Sequence, residues 1–125
     1  MLFRSVDAFA DFVVLSELRE ATPTLRVLDR TGTATDIDTP DEIYDIGPAS
    51  NVEYDTDRFR FGYASMVTPP SVIDYEVATG SQTVLKQVEV LGDTDLSAYR
   101  TARQWAPAPD GTRVPISLEI GRAHV

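Results

Sequence analysis

Asp57-Arg58-Phe59-Arg60-Phe61-Gly62-Tyr63 repeats a pattern met earlier in the chain, at Asp11-Phe12-Val13-Val14-Leu15. Each run is a strand opened by Asp, rich in the aromatic and β-branched residues that suit a pleated, half-buried surface. Eleven residues after each Asp stands Thr-Pro, at Thr22-Pro23 and Thr68-Pro69. A second strand follows, then Thr-Gly at Thr31-Gly32 and Thr79-Gly80, then a third strand. The repeat is 46 residues at Asp and at Thr-Pro and 48 at Thr-Gly, and the slip of two fits a loop insertion. Several short strands repeating every 40–50 residues or so are the signature of β-propeller blades. A blade is a small sheet whose faces are covered by its neighbours, so two blades leave two faces open. Periodicity alone therefore implies a fragment of a larger array.

Outward from the repeat, the rest is also strand-like. Phe12–Leu18, Thr24–Asp29, Phe59–Tyr63, Val72–Val77 and Thr83–Val90 are the strand runs, separated by Thr31-Gly32, Gly47-Pro48, Thr79-Gly80 and Asp110-Gly111. Residues 3–11 admit a short helical turn, but no 3.6-residue period is sustained over a normal helix length. The fold class is all-β. The last third breaks the repeat at Gly92-Asp93-Thr94-Asp95, and Asp93 and Asp95 read as turn formers in a linker. Beyond it, Asp110-Gly111 joins Gln104–Pro109 to Thr112–Leu118 in a hairpin that opens a second domain.

Composition narrows the chemistry. Among 125 residues, 11 Lys and Arg face 20 Asp and Glu, for a formal net charge of −9. Lys and Arg supply the attraction to phosphate backbones and anionic lipid, so nucleic-acid and membrane partners are not expected. Cysteine is absent, which excludes disulfides, thiolate catalysis and Cys-based zinc sites. No apolar run approaches the ~18 residues of a membrane span, and the N-terminus has no signal-peptide pattern.

The candidate chemistry is sparse. Ser65 lacks the second Gly and the following helix of a nucleophile elbow, and reads as structural. Asp36, Asp38, Asp41 and Glu42 surround Pro40 without calcium-loop spacing, and read as a solvated connection between blades. Lys86, the single lysine, reads as an edge-strand charge. Trp105 reads as a packed aromatic at a domain boundary. Arg100 and Arg103 lie three apart beside it, placed either on the surface or across an interdomain seam as charge-assisted donors. Tyr99, Arg100, Arg103 and Trp105 are thus the interdomain hinge candidates. The single histidine, His124, belongs to Glu119–Val125, which resembles translated sequencing adapter, so the native chain is expected to end near Leu118.

The same residues carry a family resemblance. Tyr63-Ala64-Ser65-Met66-Val67-Thr68-Pro69 resembles the Tyr-x-Ser-Met-x-Thr-Pro segment of the oligopeptidase B group in the prolyl oligopeptidase family (S9) of serine peptidases. Leu85-Lys86-Gln87-Val88-Glu89-Val90 is similar to the segment that follows there, and Asp55-Thr56-Asp57-Arg58 also fits. Tyr99-Arg100-Thr101-Ala102-Arg103 and Asp110–Leu118 resemble the passage into the hydrolase domain. The resemblance implies a seven-bladed propeller gating an α/β-hydrolase with a Ser-Asp-His triad. Residues 1–90 would be the last two blades, 91–98 the interdomain linker, 99–118 the start of the hydrolase, and 119–125 a non-native tail. It further implies cleavage of short peptides after Arg or Lys, no cofactor or metal, a cytoplasmic location, and partners that are the remaining blades, the hydrolase domain and peptide substrates. The triad and the acidic specificity pocket would lie beyond Leu118, so no catalytic residue is assigned and the chain alone should be inactive. The alternatives are a prolyl oligopeptidase cleaving after Pro and, in another class, a stand-alone β-rich interaction module.

Overall fold

The computed structural model describes residues 2–92 and 95–121. Ten strands run β1 (Leu2–Ala8), β2 (Phe12–Arg19), β3 (Thr22–Asp29), β4 (Ala34–Asp36), β5 (Asp45–Pro48), β6 (Arg58–Ala64), β7 (Ser71–Glu76), β8 (Gln82–Gln87), β9 (Tyr99–Pro107) and β10 (Arg113–Gly121). They form two four-stranded antiparallel meanders, β1-β2-β3-β4 and β5-β6-β7-β8, and a two-stranded hairpin, β9-β10. The described residues contain no α-helix, only a 3-10 turn at Leu96–Ala98 capped by the Asp95 carboxylate. The expected all-β class and the two repeated blades are both present. β2, β3 and β4 of the first sheet correspond to β6, β7 and β8 of the second.

Two local expectations are corrected. Residues 2–8 form strand β1, not a helical turn, because they complete the edge of β2, from Leu2 opposite Leu18 to Ala8 opposite Val13. Gly47-Pro48 belongs to β5 rather than to a turn, with Gly47 opposite Gly62 and Pro48 opposite Phe61. Proline is tolerated there because β5 is an edge strand.

Side chains alternate across each strand, and cross-strand partners share a face. In the second sheet this puts Phe59, Phe61 and Tyr63 beside Tyr75, Ile73 and Ser71. All six are buried, while the alternate Arg58 and Arg60 face Glu76 and Asp74 on the other side. In the first sheet Phe12, Val14, Leu25 and Val27 form the matching buried set. The two faces close on each other with Phe9, Ile37 and Ile46. Phe9 stacks on Phe12 at 4.6 Å between ring centroids and meets the edge of Phe59 at 5.9 Å. The core therefore lies between the sheets, as blade packing requires.

The β2–β3 link carries strain. Arg19 pairs with Thr22, leaving Glu20 and Ala21 as a two-residue turn with φ of +49° and +63°. Left-handed backbone at both positions suits Asn-Gly and costs other L-residues about 1 kcal/mol each. Replacing Glu20-Ala21 by Asn-Gly should therefore raise stability by about 1 kcal/mol, read as a higher urea midpoint with an unchanged slope. A lowered midpoint would count against the left-handed turn.

Candidate functional site

The hairpin meets the blades at their shared turn end, and this seam is the candidate site. Its own turn folds locally: Ala108 N–H donates to the Thr112 carbonyl, and Gly111 N–H donates to Ala108 at 2.9 Å. Gly111 holds φ +86°, a conformation that a side chain would strain. The Asp110 carboxylate accepts from Thr112 N–H, and that bond draws its pKa below the ordinary range. The resulting register runs unbroken from Arg113 opposite Pro107 to Gly121 opposite Tyr99. β10 thus extends three residues past Leu118, whereas residues 122–125, with His124, lie outside the described residues. So does Asp93 of the linker.

The alternation of β9 sorts the four hinge candidates. Thr101, Arg103 and Trp105 share one face, and Arg100 lies on the other, opposite Ile120. Arg103 reaches the first blade. Its Nη2 donates to the Ala21 carbonyl at 3.3 Å and to Thr22 Oγ1 at 3.4 Å, at the strained turn. Arg100 is exposed. Trp105 is half-buried, with the Arg113 guanidinium carbon 4.3 Å from its ring centroid. That cation–π contact stiffens the hairpin by about 0.5–1 kcal/mol. Tyr99 packs on its cross-strand partner: a Cβ on Gly121 would stand 2.8 Å from Tyr99 Cε1. Of the four, Arg103 alone has a hydrogen bond to a blade among the described residues.

The residue that sequence reasoning missed is Thr101. It is 6% exposed, and its Oγ1 accepts from the Ile43 backbone N–H at 3.1 Å. Ile43 lies in the connection between the sheets. A threonine between two arginines carries no sequence signal, because its partner is 58 residues away. The acidic connection also differs from the expected solvated loop. Asp41 accepts from Tyr63 Oη at 2.6 Å and Thr68 Oγ1 at 2.8 Å. Burial, reinforced by this carboxylate, pushes the Tyr63 hydroxyl pKa well up, so it remains a donor. Asp36 lies in β4 and binds Arg19 at 3.0 Å and Arg26 at 3.3 Å. The Arg19 hydrogen bond holds Asp36 below the usual carboxylate range.

The same two arginines flank Glu17, which is only 2% exposed, at 3.8 Å and 3.5 Å. This pair of bases and pair of acids lies on the face of β2 and β3 away from the core. It braces the strand ends that carry the turn gripped by Arg103. Ser65 proves structural: its Oγ accepts the N–H groups of Val67 and Thr68 at 3.1 and 2.8 Å, closing the β6–β7 turn. Lys86 lies exposed on edge strand β8. Among the described residues no group of three or more His, Asp or Glu could hold a metal ion. No helix among them is long and apolar enough to cross a membrane.

The seam is therefore a docking geometry, with a hairpin held to one blade by Arg103 and to the inter-blade connection by Thr101. Comparison with known proteins gives it a context. Residues 1–88 match the family model described as prolyl oligopeptidase, N-terminal β-propeller domain. A dipeptidyl aminopeptidase BI of Pseudoxanthomonas mexicana is 37% identical over 113 residues, covering 90% of this chain and 16% of its own length. The oligopeptidase B of Trypanosoma brucei, solved in a closed form with covalently bound antipain, superposes with a TM-score of 0.83 at 28% identity. That match covers 98% of this chain and 19% of the trypanosomal one. The oligopeptidase B of Leishmania major has the same fold, with a TM-score of 0.82 at 22% identity over 96% of this chain and 18% of its own. The chain thus spans less than a fifth of each relative. With two antiparallel blades packed on an aromatic core and a family match over most of its length, this chain belongs to the prolyl oligopeptidase family.

Proposed function

We propose that the chain is the propeller–hydrolase junction of a serine oligopeptidase of the oligopeptidase B type, cleaving short peptides after Arg or Lys. Residues 1–90 are its last two blades, 91–98 the linker and 99–118 the first strands of the hydrolase domain, with Tyr99, Arg100, Arg103 and Trp105 at the hinge. The observation that carries this reading is the superposition on the trypanosomal enzyme over 98% of the chain, hairpin included. The hairpin's two faces support it. Thr101 and Arg103 turn one face to the blades. The other aligns Val114, Ile116 and Leu118 with Ala106, Gln104 and Ala102, a strip apolar except at Gln104, of the kind that a larger sheet domain buries.

In this reading the blades exclude folded proteins and admit peptides, while all covalent chemistry resides in the hydrolase domain. An acyl-transfer site needs its activated Ser, its His base and its oxyanion donors together. The described residues include no histidine to serve as that base, and this reading expects the chain alone to be inactive. The net charge of −9 would favour approach of cationic peptides.

The test is to read the genomic DNA past the codon for Leu118, express the frame found, and assay internally quenched peptides with Arg, Lys or Pro before the scissile bond. An in-frame hydrolase domain and preference for Arg and Lys are expected. Preference for Pro, or release of N-terminal dipeptides, would replace the specificity reading. Absence of a hydrolase frame would overturn the peptidase reading and leave a β-rich interaction module.

A further inference from the structure

We propose that the connection over residues 38–44 is a coupling strap between the second blade and the hairpin, and that Asp41 is its positioning residue. Three points hold the strap. The Asp38 carbonyl accepts from Gln82 Nε2 of β8 at 2.9 Å. A single carboxylate oxygen, Oδ2 of Asp41, accepts from both Tyr63 and Thr68. The Ile43 N–H donates to Thr101 of β9. The strap therefore takes hydroxyl donors from the second blade and passes a backbone donor to the hairpin.

The coupling is rigid at its blade end. Tyr63 is 4% exposed, next in the core after Phe59 and Phe61 along β6, and stacked on Tyr44 at 5.5 Å. Thr68 is held by Ser65, whose Oγ takes its N–H. Neither donor is free to follow a displaced carboxylate. Asp41 and Ile43 are two residues apart, at most about 7 Å of chain, too short to absorb a shift without passing it on. Hydrogen bonds to an ionised carboxylate are about twice as strong as neutral ones, so Asp41 outweighs the neutral Ile43–Thr101 bond that it positions. The strap thus sets the register between the rim of the second blade and whatever domain the hairpin carries. Two blades and a hairpin suffice for this inference, which stands or falls independently of the peptidase reading.

The test uses the full 125-residue chain, labelled for amide exchange and methyl spectra. Asp41→Ala should speed exchange of the Ile43 amide at least tenfold, about 1.4 kcal/mol of lost protection, and shift the Thr101 methyl resonance. Tyr63→Phe and Thr68→Val, which leave the carboxylate in place, should each give a smaller rise at the same amide. If Asp41→Ala does not fold, Asp41→Asn takes its place. Combining the Asp41 change with Thr101→Val should add little at Ile43 beyond Thr101→Val alone. A role confined to the β6–β7 turn would leave the Thr101 methyl unmoved. That result, unchanged Ile43 exchange, or fully additive effects of the Asp41 and Thr101 changes would overturn the proposal.

Discussion

Phe59→Ala should destabilise the chain by about 3–5 kcal/mol, the range for truncating a fully buried aromatic. Phe59 has no exposed surface, pairs with Tyr75 across the sheet and meets Phe9 of the first blade edge-on. Its removal leaves a cavity where the two blades touch and breaks an aromatic pair worth about 0.5–1.5 kcal/mol beyond burial. A domain of this size has about 5–15 kcal/mol of stability in total, so much of the folded population should be lost. Urea unfolding followed by the circular dichroism of the strands checks this. Val52→Ala, at a position 91% exposed, should stay within about 0.5 kcal/mol. Equal effects at the two positions would place the core elsewhere.

The second large effect concerns the seam. Thr101→Val leaves the Ile43 N–H without its acceptor, which should cost about 1–3 kcal/mol of docking. Arg103→Ala removes the donor to the Ala21 carbonyl and to Thr22 Oγ1. Together the two changes should release the hairpin from the blades while each blade stays folded. Limited proteolysis between residues 91 and 98 should then accelerate at least tenfold, with no change in the strand signal of the blades. Trp105 is half-buried on the same face of β9 as Thr101 and Arg103, so release should also shift its emission to longer wavelength. Cleavage at the parental rate in the double variant would show that other contacts hold the hairpin.

Much of the blade architecture was legible because its signals are local. The alternation in Arg58–Tyr63 and the Asp110-Gly111 turn each lie within a few neighbouring residues, where steric preference and the two-residue period of a strand act directly, and the 46-residue repeat is a second copy of such local signals. The segments that were misread or passed over are those whose structure depends on a partner. Leu2–Ala8 alternates weakly and becomes a strand because β2 offers it an open edge. Glu20-Ala21 has no turn chemistry, and the pairing of β2 with β3 imposes positive φ on both residues.

The same division runs through the candidate site. Composition removed cysteine chemistry, and the motif around Ser65 and Thr68 pointed to the family that the comparisons establish. Arg103 was legible as a boundary charge, but its separation from Arg100 follows from the face each takes in β9. Asp41 reads in sequence as one acid among several, and Thr101 as an unremarked hydroxyl. Only folding brings Asp41 to Tyr63 and Thr68, 22 and 27 residues on, and Ile43 to Thr101 across 58. Short-range steric preference sets strands and turns, so the sequence by itself determined the blades. Hydrogen bonds between distant residues exist only once both blades have packed, so the tertiary structure decided how the hairpin is held.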